Sequence, residues 1–130
     1  MAEKHEYLNS FINDSNTITE RAGAALAAPA HKAAMYGNGG GVLIATSAEK
    51  AIGIILSAGP DPIEEGAPVH ILISRIGLLE AAGPIAKGDL VSINASGQGT
   101  VAESGGRAFG RAFTAAAAAG ECIQVQLYGL

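Results

Sequence analysis

Tryptophan is absent from this chain, and aromatic residues make up only 5% of it, although hydrophobic residues make up 48%. The apolar content is therefore mostly alanine, isoleucine, leucine and valine. Small side chains bury little area each, so a core built from them contributes less hydrophobic stabilisation per residue. We expect a domain of 130 residues with such a core to gain part of its stability from contacts between subunits.

Basic residues are also scarce: the chain has 8 Lys plus Arg, scattered along its length, and a net charge of −4. A surface that follows nucleic-acid phosphates needs clustered cations, so nucleic acid is excluded as a direct partner. No apolar run approaches the ~20 residues that cross a bilayer. The N-terminal sequence also lacks the apolar segment of a signal peptide. We therefore expect no membrane partner and synthesis in a cytoplasm-like environment.

Reactive side chains are few and dispersed. The single cysteine, Cys122, excludes an intramolecular disulfide. The three histidines, His5, His31 and His70, lack the spacing of a zinc site. The glycine-rich residues 37–41 lead into an apolar strand pattern, whereas a phosphate-binding loop continues through Gly-Lys-Ser/Thr into a helix. The sequence therefore predicts a protein that is not an enzyme, with no catalytic residues, no metal and no cofactor.

Glycine, in contrast, is abundant, and its positions indicate an internal duplication. The chain has 18 glycines, which favours many tight turns between short strands. A shift of 57 positions places Gly53 on Gly110 (110 − 53 = 57) and carries Gly40 onto Gly97. After a three-residue insertion in the first copy, the copies realign at Gly66 and Gly120. These matches predict two pseudo-repeats, residues 23–73 and 80–127.

The local patterns within the repeats predict strands. Residues 69–73 and, more cleanly, residues 123–127 have the period-two pattern of half-buried strands. Further short apolar runs between turn signals predict strands at residues 41–46, 51–56 and 89–93. Asn and Gly tolerate positive φ, so the segments 37–40 and 94–99 are predicted hairpin turns.

Two further segments are rich in alanine. Residues 115–119 are too short to form a stable helix alone and are read as a loop or a single turn. Residues 21–28 could form a short helix that ends near Pro29. Taken together, the sequence predicts an all-β fold. Two copies of a few strands would make a compact β-barrel or β-sandwich spanning residues 17–130.

The first 16 residues differ from the repeats and are predicted to form an N-terminal arm. Leu8, Phe11 and Ile12 have the i, i+3, i+4 spacing of one side of a helix, and Tyr7 adds a further apolar group. One interpretation is an arm that contacts a partner or a neighbouring subunit through these four residues. The alternatives are a short helix that caps its own domain and a disordered tail.

A family resemblance rests on short turn and strand motifs that recur in the two copies. It comprises Gly88-Asp89-Leu90-Val91, then Ala108-Phe109-Gly110-Arg111-Ala112, Ala118-Ala119-Gly120-Glu121 and the alternating segment 123–127. This pattern resembles the head decoration, or capsid cement, proteins of tailed bacteriophages, over roughly residues 17–130. The resemblance implies a homotrimer on the outer surface of the virion. There it would bind the major capsid protein and stabilise its lattice.

The sequence is also compatible with a second function. The chain could instead be a small β-barrel binding or carrier module in a larger bacterial assembly. A carrier needs a lysine at a tight hairpin tip between paired strands, and neither Lys50 nor Lys87 is so placed in the predicted elements. A homotrimer bound to phage heads would distinguish the decoration protein from such a module.

Overall fold

Ten β-strands make up the regular structure of the part of the chain that the structure describes. The structure is a computed structural model that describes residues 15–56 and 62–128, and these residues contain no helix. The strands are β1 Thr17–Arg21, β2 Ala33–Tyr36, β3 Val42–Ile44, β4 Gly53–Ile55, β5 Pro68–Leu72, β6 Ile76–Glu80, β7 Leu90–Ile93, β8 Gly99–Val101, β9 Gly110–Ala112 and β10 Cys122–Leu127. The predicted all-β fold is confirmed.

The strands form two antiparallel five-stranded sheets, each built from one continuous stretch of chain. Sheet 1 has the order β1-β5-β4-β2-β3, and sheet 2 has the order β6-β10-β9-β7-β8. Each strand of sheet 1 therefore has a counterpart in sheet 2, as a duplication of the chain would produce. The arrangement is a β-sandwich, and the predicted alternative of a closed barrel is wrong because β3 and β8 end their sheets without pairing to β1 and β6.

The glycines that align in the sequence occupy counterpart positions. Gly53 begins β4 and Gly110 begins β9, and each is approached closely by a backbone carbonyl of the neighbouring long strand. Gly40 and Gly97 both have positive φ, of 89° and 77°, in the two predicted hairpin turns. The first strand of each sheet along the chain begins before the predicted repeat: β1 begins before residue 23, and β6 begins before residue 80. The predicted repeats were residues 23–73 and 80–127. Those boundaries, and the division at residue 16, stay predictions.

Buried apolar side chains lie on both faces of sheet 1 but on one face of sheet 2. In β4 the adjacent Ile54 and Ile55 point to opposite faces and are 1% and 0% exposed. Ile55 belongs to a core within the first half (residues 17–72). Ile54 belongs to the larger core, which it shares with Leu79 and Val125 of the second half (residues 76–128). Sheet 1 thus lies between its own core and the second half.

The possible helix at residues 21–28 is wrong. Arg21 ends β1, and amides of the residues that follow donate to carbonyls far away in the sequence rather than to those four residues earlier. Gly23 N donates to Val42 O at 2.8 Å, and Leu26 N donates to Ile63 O at 2.8 Å. Because Leu26 is buried, this segment closes the end of the first-half core and helix propensity has no influence there. Residues 115–119 form a loop, as predicted, in which Ala116 makes a single β-bridge to Ile85.

Candidate interaction surface

Exposed large apolar side chains are concentrated in the second half. Seven occur in the described part of the chain, and only Tyr36 lies in the first half. The other six are Ile76, Leu78, Leu90, Val101, Phe113 and Tyr128, with exposed fractions from 37% to 47%. Single exposed apolar residues are ordinary on protein surfaces, but a cluster on one side indicates a surface that binds a partner.

The register of sheet 2 places several of these side chains on its outer face. Ile76 lies opposite Gln126, Gln126 opposite Arg111, and Arg111 opposite Leu90. Directly paired residues point to the same face of a sheet, so these four form one row across the strands. All four are exposed, whereas the inner face carries buried side chains such as Ile123. We call this exposed set the outer row of sheet 2.

The counterpart row of sheet 1 is largely covered: two of its residues are buried and two are half-buried. It consists of Thr17, Leu72, Ile54 and Ala33, paired in the same register. Ile54 and Ala33 belong to the larger core and therefore pack against the second half. Leu72 Cδ2 occupies the space where a side chain on Gly77 of β6 would begin. The row in sheet 1 thus packs against other residues of the chain. The outer row of sheet 2, which has Leu90 at the position of Ala33, faces solvent.

An open groove marks the first half beside β1. Its lining includes Glu20, Arg21 and the glycine-rich turn at residues 37–41. The Tyr36 hydroxyl donates a 2.5 Å hydrogen bond to Glu20 Oε2 near this groove. That hydrogen bond, together with partial burial and the carboxylate charge, raises the pKa of Tyr36 above its usual value. The tyrosine therefore stays neutral and acts as a hydrogen-bond donor at physiological pH.

The reactive side chains named from the sequence are dispersed. Cys122 is exposed at the start of β10, and desolvation, with a smaller contribution from Glu80, raises its pKa despite the opposing charge of Lys32. A thiol with a raised pKa holds little thiolate at neutral pH and is a weak nucleophile. His70 Nδ1 is 2.9 Å from the Thr19 hydroxyl. Among residues 15–56 and 62–128, no three His, Cys, Asp or Glu side chains form a metal-binding group.

The arm residues predicted to contact the capsid or a subunit, Tyr7, Leu8, Phe11 and Ile12, lie outside the described residues. The outer row of sheet 2 was not predicted from the sequence. A signal was present in β6, where Ile76, Leu78 and Leu79 place apolar side chains on both faces of a strand. The two possible carrier lysines, Lys50 and Lys87, are exposed in turns outside the strands. In the described ranges no helix is long and apolar enough to span a bilayer.

Comparisons with known proteins point to phage heads. A family model described as phage cement protein matches residues 12–127, which include both sheets. No curated protein matches the sequence. Among solved structures, the N base of head fiber gp8.5 in bacteriophage phi29 is similar, with a TM-score of 0.59 over 86% of this chain and 92% of that chain. The two sequences are 16% identical, so this likeness concerns the fold alone.

Proposed function

Since this chain belongs to the phage cement protein family, we propose that it binds the outer surface of a phage head and stabilises the lattice of the major capsid protein. The observation that carries the proposal is the family match over residues 12–127. The exposed outer row of sheet 2 supports it, because an apolar row on a small domain is suited to burial against another protein. In this role the protein acts by contact, without catalysis.

The protein acts as a homotrimer in this proposal. Three weak contacts made by one rigid trimer bind together, so a trimer remains attached far longer than a single subunit would. Each trimer would join neighbouring capsid subunits and oppose the pressure of packed DNA. The protein would be made in the host cytoplasm and carried on the virion, with neither nucleic acid nor membrane as a partner.

Cosedimentation tests the proposal directly. Purified protein is mixed with heads of its own phage that were assembled without it, and its mass in solution is measured by light scattering. We expect saturable binding to heads, a solution mass of three chains, and DNA retention at higher temperature in decorated heads. Protein that stays in the supernatant at every concentration, with heads no more heat-resistant than before, would refute the proposed function.

The N-terminal arm supplies part of the binding in this proposal, through Tyr7, Leu8, Phe11 and Ile12. Deleting residues 2–13 is expected to weaken binding to heads, or trimerisation, by at least about tenfold, because burial of these four side chains is lost. The β-sandwich begins at Thr17 and is expected to stay folded, with an unchanged circular dichroism spectrum.

The matched control for this truncation alters the arm without touching its apolar residues, by replacing Asn9 and Ser10 with alanine. This variant is expected to bind heads as the full chain does. A truncated protein that forms trimers and decorates heads with the affinity of the full chain would exclude the arm from binding.

A further inference from the structure

The contact between the two halves of the chain has a definite geometry. Lys32 Nζ lies 3.4 Å from Glu80 Oε2. The Glu80 amide donates to His31 O at 2.8 Å, and the Ala33 amide donates to Gly97 O at 2.9 Å. We call this set the junction: the start of β2 lies on the end of β6 and on the β7–β8 turn. A charge pair, two backbone hydrogen bonds and apolar packing therefore hold the halves together.

The junction has two sides: His31, Lys32 and Ala33 form the docking side, and Glu80 with the β7–β8 turn forms the receiving side. The second half contains a copy of the docking side that is exposed. Because Gly53 pairs with Ala34 and Gly110 with Val91, the counterparts of His31, Lys32 and Ala33 are Gly88, Asp89 and Leu90. The backbone has the same unusual conformation at both starts, with φ of 65° at His31 and 92° at Gly88.

Side chains around this exposed copy follow the same pattern. Leu90 is 40% exposed where its counterpart Ala33 is fully buried. Val101, the counterpart of Ile44, is 47% exposed, whereas the Ile44 side chain lies against Gly97 in the junction. The surface that docks in the first half is thus present a second time, with Leu90 at the position of Ala33 and Val101 at the position of Ile44, both exposed. The Asp89 carboxylate beside them accepts a 2.9 Å hydrogen bond from the Ala86 amide of its own turn.

The first half repeats the receiving side of the junction. Arg21 lies opposite Pro68 as Glu80 lies opposite Cys122, which makes Arg21 the counterpart of Glu80. Gly40 is likewise the counterpart of Gly97 in the preceding hairpin turn. Both Arg21 and Gly40 line the open groove beside β1. The receiving side is therefore a surface groove in one half and an occupied junction in the other.

The residues at the charged positions of these two unfilled surfaces have opposite signs, although the groove also contains the carboxylates of Glu20 and Glu65. In the junction the docking residue Lys32 is positive and the receiving residue Glu80 is negative. At the counterparts the signs are exchanged: the docking residue is Asp89 and the receiving residue is Arg21. Attraction is preserved although both residues differ in sign from their counterparts. Complementary charges at corresponding positions select a partner and its orientation.

We propose that Asp89 and Leu90 of one copy dock in the groove at Arg21 and Gly40 of a second copy, repeating the junction between chains. Each copy offers one docking surface and one groove, so the contact is head-to-tail and closes into a ring when the rotation permits. Resting on the proposed homotrimer, the ring holds three chains and six alternating half-units. Sheet 2 then gains the cover that sheet 1 has within the chain.

Charge reversal tests this contact in the full chain. Arg21→Glu alone is expected to raise the midpoint protein concentration of trimer dissociation by about tenfold, because two carboxylates would then face each other across the contact. Light scattering over a dilution series measures this midpoint. Asp89→Arg alone is expected to do the same, and the two changes together to restore trimers. The control Lys87→Glu alters an exposed charge two residues from Asp89 and is expected to leave the trimer unchanged.

Disulfide cross-linking gives a second measurement that does not depend on weakened association. In a Cys122→Ser background, Arg21→Cys combined with Asp89→Cys is expected to give covalently linked chains on a non-reducing gel after mild oxidation. Either cysteine alone, or Arg21→Cys with Lys87→Cys, is expected to give none. Chains that remain unlinked would overturn the proposed contact.

The outcomes separate this contact from the proposed function. Wild-type protein that trimerises and binds heads, with single charge reversals that leave its mass unchanged, would overturn the contact alone. Wild-type protein that is monomeric at high concentration and ignores heads would overturn both. Loss of trimers in each single variant, regained in the double variant, together with the cross-link, would establish the Arg21–Asp89 contact.

Discussion

Replacing Ile54 by alanine is expected to lower the free energy of unfolding by about 2–5 kcal/mol, the range for large-to-small changes in a well-packed core. Ile54 is 1% exposed and lies at the junction of the two halves. Its Cδ1 atom is 3.4 Å from the position of a Cβ on Gly77, so both halves line the cavity that the substitution would leave. Such a loss is a large share of the ~5–15 kcal/mol that stabilises a typical domain.

Arg111→Ala is the matched control for Ile54→Ala, because Arg111 is the counterpart of Ile54 in sheet 2 and is exposed. We expect a loss of about 1 kcal/mol, because Arg111 is exposed and its Nη1 donates one hydrogen bond to Gly88 O at 2.8 Å. Both variants should be unfolded in urea at one protein concentration, since association adds to apparent stability. Equal losses of unfolding free energy in the two variants would contradict the conclusion that the larger core lies between the two halves.

Gly53→Ala is expected to destabilise the protein by about 1–3 kcal/mol, although glycine-to-alanine changes in open positions usually stabilise. A Cβ at residue 53 would clash with the Leu72 carbonyl oxygen and lie 2.8 Å from Ile71 Cγ2. The carbonyl belongs to β5, which pairs with β4 at this point, so it cannot move without disturbing the pairing. Gly110→Ala is expected to have a similar effect, because the Gln126 carbonyl is placed in the same way.

The control for these two substitutions is Gly39→Ala, in the turn between β2 and β3. A Cβ there would meet nothing within 4 Å, so the thermal midpoint should stay the same or rise slightly. If Gly53→Ala proved as harmless as Gly39→Ala, the close approach of β5 to β4 would be wrong. Differential scanning calorimetry of the three variants would decide this.

Turn chemistry and strict alternation made much of the fold predictable. Gly40 and Gly97 adopt the positive φ that their hairpin turns require, so their recurrence in the sequence reported a real structural repeat. The alternation in residues 123–127 reported one buried and one exposed face of β10. Such signals are local, because each depends on the conformation of a few neighbouring residues.

The strands β1, β2, β6, β8 and β9 were not predicted, and their locations depend on tertiary contacts. The two alanines of β2 carry little strand propensity, and they are buried because opposite faces of sheet 1 pack against different partners. The interaction surface escaped prediction for a related reason. An exposed Leu90 and a buried Ala33 occupy counterpart positions, so burial at this site depends on which half has a neighbour.

One consequence follows from the assembly of each sheet out of an uninterrupted stretch of chain. During translation, strands β1 to β5 emerge from the ribosome before strands β6 to β10, so sheet 1 can pair before sheet 2 has emerged. At that stage Ala33 and Ile54 still face water, because the residues that cover them come later in the chain. The nascent first half therefore has an apolar face that is open to premature association. The three-residue link between β5 and β6 brings out the first covering residue, Leu79, directly after sheet 1, whereas Val125 follows only with β10.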